Sequence, residues 1–73
     1  MSGQTVKAIR LWLGMSQREM AGRLGVTDSY LCQIEAGRPV SDAIRIKIAQ
    51  TFDVTAEMLE AIRRAKLADQ LLV

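Results

Sequence analysis

The sequence contains no histidine, one cysteine, one proline and no apolar run near the length of a membrane span. Each absence removes a class of function. Without histidine, acid–base or nucleophilic chemistry built on an imidazole is excluded. One cysteine and no histidine leave too few ligands for a zinc site, so neither a metal nor a cofactor is expected. Cys32 has no partner for an internal disulfide, in keeping with a reducing compartment. A membrane helix needs roughly 20 apolar residues in a row, and no such run or signal peptide is found, so the expected location is the cytoplasm. Carboxylate pairs such as Glu57 and Glu60 lie on an amphipathic helical stretch, where a solvated face explains them better than catalysis does. No enzyme activity is expected.

What is present is an ordinary globular composition: 49% hydrophobic and 25% charged residues in a chain of 73. That length makes one domain, residues 1–73. A chain this short buries only about 60% of its unfolded surface, so its stability is marginal, and oligomerisation is a common remedy. The formal charge is +2. Residues 1–38 hold five cations (Lys7, Arg10, Arg18, Arg23, Arg38) against three carboxylates (Glu19, Asp28, Glu35), whereas residues 39–73 hold five of each. The whole surplus therefore lies in the first half.

The periodicity is helical throughout, with no repeat and no linker. A first helix is expected over about residues 4–13, with Val6, Ile9, Arg10 and Leu13 on one face and Gly14 ending it. A second, over about 17–24, opens with a capping box. Ser16 accepts from the backbone three residues on, and Glu19 reaches back to the Ser16 amide. Gly25 makes a tight turn with positive φ, and Thr27 caps a third helix that stops at Gly37. Pro39 breaks the chain, Ser41 or Asp42 starts a fourth helix on Ile44, Ile48, Ala49 and Phe52, and Thr55 caps a fifth. On that fifth helix Met58, Leu59, Ile62 and Ala65 are expected to face inward. The fold class is then all-α, a compact bundle of about five helices containing a helix-turn-helix over about 17–36. The C-terminal stretch 66–73 carries Leu67, Leu71, Leu72 and Val73. These either fold back on their own core or form a homodimer contact, because exposed apolar patches mark interfaces.

The run Gln17-Arg-Glu-Met-Ala21, then Leu24-Gly-Val-Thr27, Tyr30, Ile34-Glu35 and Gly37, resembles the phage repressor and Cro type of helix-turn-helix regulator. Arg10, Gly14, Ile48-Ala49, Phe52-Asp-Val-Thr55 and Leu59 fit the same pattern, so the resemblance covers about residues 5–60. It implies a lambda-repressor-like domain that binds operator DNA, in the manner of a phage or prophage repressor. It also implies an ion pair between Arg10 and Glu35, the alternative being two solvated surface charges. Ala21 is small where two helices cross closely, and Val26 plugs the turn.

The same resemblance implies that Gln17 bonds a DNA phosphate at a helix N-terminus, with Arg18 and Arg38 as further phosphate candidates. It places Asp28, Ser29 and Gln33 against base edges, Gln33 suiting adenine N6 and N7 and Asp28 suiting cytosine N4. Tyr30, at the edge of that face, suits a phosphate or a sugar and thymine methyl. Each has a plainer reading: a solvated side chain, or for Asp28 a first-turn carboxylate favoured by the helix dipole. A symmetric dimer would read a palindromic operator in double-stranded DNA. One feature departs from the pattern: the segment 28–36 has no Lys or Arg. The low charge and apolar end also suit a protein-interaction module, an anti-repressor or antitoxin-like partner binder.

Overall fold

A computed structural model describes the backbone of residues 1–72 and the side chains through residue 66. The expected side-chain roles of Leu67, Leu71, Leu72 and Val73 lie outside that range. Five helices follow in order: α1 (Gly3–Trp12), α2 (Gln17–Leu24), α3 (Asp28–Glu35), α4 (Asp42–Thr51) and α5 (Ala56–Leu72). No strand occurs among the described residues. The all-α bundle is therefore as the helical periodicity required.

Every helix begins in the same way. Ser2, Ser16, Thr27 and Ser41 hold extended backbone, and each hydroxyl accepts from the amide three residues on. Thr55 does the same for the Met58 amide at 3.1 Å. Each such cap stabilises its helix by about 0.5–2 kcal/mol relative to Ala. At Ser16 the Glu19 amide donates at 3.1 Å, but no return bond from the Glu19 carboxylate forms among the described residues. The capping box is thus half made.

The ends are equally local. After α2, Gly25 takes φ +71°, and the Val26 amide donates back to the Ala21 carbonyl at 3.0 Å. A residue with a Cβ pays a steric penalty there. After α3, the amides of Gly37 and Arg38 return to the carbonyls of Ile34 and Gln33, at 3.1 and 2.9 Å. That paired closure reverses the chain and throws Arg38 back toward the helix it has just left.

The core is formed by Val6 and Ile9 of α1, Met15, Met20, Ala21 and Leu24 of α2 and its approach, Leu31 and Ile34 of α3, and Ile48 of α4. Helix α2 packs on α3 and α4, and α1 packs on α3 and α5. The start of α1 meets the end of α3 so closely that a Cβ on Gly3 would collide with the Ile34 carbonyl oxygen. Three expected inward residues face out instead. Leu13 is exposed because α1 ends at Trp12 and Leu13 is already in the reversing cap. Leu59 and Ala65 are exposed because each lines an open groove between α5 and α1, Leu59 beside Ser2 and Thr5 and Ala65 beside Leu11 and Trp12.

Candidate nucleic-acid interface

One carboxylate ties the first three helices together. Glu35, the last residue of α3, receives Arg10 of α1 through two bonds: Nε to Oε2 at 2.9 Å and Nη2 to Oε1 at 3.0 Å. The pair is nearly dry, with side-chain exposures of 11% and 5%. Arg10 Nη1 donates to the Met15 carbonyl at 2.9 Å, pinning the loop that leads into α2. Gln17 Nε2, on the first residue of α2, donates to Glu35 Oε1 at 3.3 Å. No buried side-chain polar atom is left unpaired among the described residues. A bidentate guanidinium–carboxylate pair is directional, so it sets the angle between α1 and α3 as well as stabilising them.

This arrangement orients Gln17. Its amide nitrogen carries two hydrogens. One is committed to Glu35, so the other is held in a defined direction at the start of α2, where backbone amides and the helix dipole favour an anion. Arg18, the next residue, is exposed.

The outer face of α3 is open. Asp28, Ser29, Cys32 and Gln33 are all exposed, while Leu31 and Ile34 on the opposite face are buried. Tyr30 lies between the two, half-buried and packed against the core.

Arg38 bridges these groups. Its Nη1 donates to Gln33 Oε1 at 2.8 Å, and its guanidinium carbon sits 4.7 Å from the centroid of the Tyr30 ring. That distance is within the range of a cation–π contact. The stretch 28–36 lacks basic residues, yet its surface carries a guanidinium supplied by the residue just beyond it. Sequence reasoning placed Tyr30, Gln33 and Arg38 separately; the structure makes them one cluster.

A second cation escaped the sequence analysis altogether. Lys47 of α4 brings its Nζ to the Gly25 turn, 3.4 Å from where a Cβ on Gly25 would stand. No local pattern marks it, because its position follows from the packing of α4 on α2. Two cations of α5 are held by their own neighbour: Arg63 Nη2 and Arg64 Nε reach Glu60 Oε1 at 3.0 and 3.4 Å. The hydrogen bond from Arg63 holds the Glu60 carboxyl below its ordinary range. Of the other cations, Arg18, Arg38 and Lys47 lie about α2 and α3, and Lys7 and Lys66 flank the groove between α1 and α5.

No helix among the described residues is long and apolar enough to cross a membrane, and no cluster of metal-ligating side chains occurs among them. Residues 6–59 match the family model described as helix-turn-helix. A propionyl-CoA carboxylase regulator from Cereibacter sphaeroides is 38% identical over 77 residues, covering 93% of this chain and 17% of the relative. The chain therefore spans about a sixth of that relative's length. No solved structure matches the chain. With α2, the Gly25 turn and α3 inside a match that takes in most of the sequence, the chain belongs to the Cro/C1-type helix-turn-helix family.

Proposed function

We propose that this chain is a sequence-specific DNA-binding domain of a transcriptional regulator, with α3 as the helix that enters the major groove. The observation that carries this reading is the exposed face of Asp28, Ser29, Cys32 and Gln33, backed by buried Leu31 and Ile34. Membership of the helix-turn-helix family supports the same reading. Gln17, oriented by Glu35, donates its second N–H to a phosphate, and Arg18, Arg38 and Lys47 add positive charge around it. Asp28, Ser29 and Gln33 meet base edges. Tyr30 lies at the rim of the groove beside the backbone.

The regulator acts as a homodimer on a palindromic operator, with half-sites roughly 34–36 Å apart. A single α3 with so little positive charge of its own binds weakly, and two-fold repetition supplies the missing affinity. Repression follows from excluding polymerase at an overlapping site. A second reading, a protein-interaction module, draws on exposed Leu11 and Trp12 at 59% and 50%, beside a groove between α1 and α5 lined by Lys7, Ile62 and Lys66.

A salt titration of binding to duplexes selected from a random pool separates the two. A dimer that neutralises about six or more phosphates loses roughly a thousandfold or more in affinity between about 50 and about 200 mM salt. Failure to enrich any motif, with binding indifferent to salt, refutes the DNA-reading function.

A further inference from the structure

The cluster of Tyr30, Gln33 and Arg38 has a consequence for which base α3 reads. An amide oxygen and an amide nitrogen look alike in outline, but a guanidinium has five N–H groups and no acceptor. The Gln33 atom that faces Arg38 Nη1 at 2.8 Å must therefore be the oxygen. The orientation of the Gln33 amide is settled by chemistry, and its NH₂ is turned away from Arg38.

A glutamine reads adenine with both ends of its amide. The oxygen accepts from N6–H₂ while the nitrogen donates to N7. Here one lone pair of the oxygen is taken by Arg38, and a positive charge stands beside the other. The guanidinium also lies over the Tyr30 ring, 4.7 Å from centroid to guanidinium carbon. The backbone amide of Arg38 is also bonded, to the Gln33 carbonyl at 2.9 Å, so the arginine starts from a defined place. What the pair offers the groove is mostly donors, the Gln33 NH₂ and the unused N–H groups of Arg38, and the one lone pair left on the Gln33 oxygen stands beside the guanidinium charge. An adenine edge would press its own N6–H₂ donor against that charge. The purine edge with acceptors alone is guanine, at N7 and O6.

We propose that Arg38 is a specificity-determining residue that acts through Gln33, turning a glutamine suited to adenine into a donor-rich, positively charged reader of guanine. Tyr30 is the platform that positions Arg38. This rests on the DNA-binding function proposed above and names the base class that the face selects.

The test is selection of bound duplexes from a random pool with the wild-type chain and with Gln33→Ala and Arg38→Ala. Both substituted residues are exposed, and a thermal melt of each variant checks that the fold persists. Gln33→Ala identifies the base pair read by Gln33, because preference is lost at that position alone. The wild type is expected to favour guanine over adenine there by about tenfold or more. Arg38→Ala is expected to move that one position to adenine and to leave the other positions of the motif as they were. A purely structural or phosphate-bonding Arg38 does not change the identity of a base. If the wild type selects adenine there, or if Arg38→Ala weakens all sites evenly with the motif unchanged, the inference is overturned while the DNA-binding function stands. If the wild type enriches no motif, that function fails and the inference fails with it.

Discussion

Replacing Glu35 by Ala removes the carboxylate on which α1, α2 and α3 converge. The substitution deletes both bonds from Arg10 and the one from Gln17, leaving Arg10 only the Met15 carbonyl. The Arg10 side chain is 11% exposed, so water cannot replace what is lost. Removing one partner of a buried pair strands the other charge and costs about 3–5 kcal/mol. An exposed pair costs about 0–1 kcal/mol, so the two cases are well separated. A domain of this size has roughly 4–11 kcal/mol of stability in all, at about 0.05–0.15 kcal/mol per residue. The variant therefore loses about a quarter or more of it. Since 1 kcal/mol shifts Tm by about 4–8 °C in so small a domain, the melt falls by roughly 12 °C or more. Urea denaturation followed by far-UV circular dichroism measures the loss directly. The double variant Arg10→Met with Glu35→Leu is expected to be more stable than Glu35→Ala, because no charge is stranded and the space stays filled. A loss under about 1 kcal/mol for Glu35→Ala, or a double variant whose loss equals the sum of the two single losses, refutes the buried-pair argument.

Two glycines are expected to respond in opposite ways. Gly3→Ala drives a Cβ into the Ile34 carbonyl and forces α1 off α3, at about 1–3 kcal/mol of destabilisation in the same denaturation assay. Gly22→Ala, in the exposed middle of α2 with nothing near its new Cβ, raises stability by about 0.5–1 kcal/mol. Gln17→Ala leaves Arg10 and Glu35 paired, so it lowers stability little. It weakens binding to every duplex alike and reduces the magnitude of the salt slope by about one per subunit.

The helices of this chain were legible because their signals are local. A serine or threonine hydroxyl caps an amide three residues away, and Gly25 relieves a steric clash within its own turn. Neither depends on the rest of the molecule, so the starts of α2, α3 and α4 fall where the sequence places them. The buried stripe was legible where a helix is covered along its length, as at Met20, Ala21 and Leu24. It misled at Leu13, where α1 has already ended, and at Leu59 and Ala65, because periodicity says which residues share a face but not how closely a neighbouring helix covers it.

The candidate site divides along the same line. Residue order alone determined that an amphipathic segment beginning at Asp28 would turn a polar face outward, with Gln17 at the head of the helix before it. Only the tertiary structure decided how those groups are charged and aimed. The convergence of Arg10, Gln17 and Glu35 joins residues 18 and 25 positions apart. Lys47 reaches the Gly25 turn only because α4 packs on α2. Arg38 is near Gln33 in sequence, yet its place over Tyr30 follows from the closure after α3, which turns the chain back. Hydrogen bonds between neighbours in sequence are short-range and readable from residue types. Electrostatic contacts between helices depend on the relative placement of the helices, which the packed core sets.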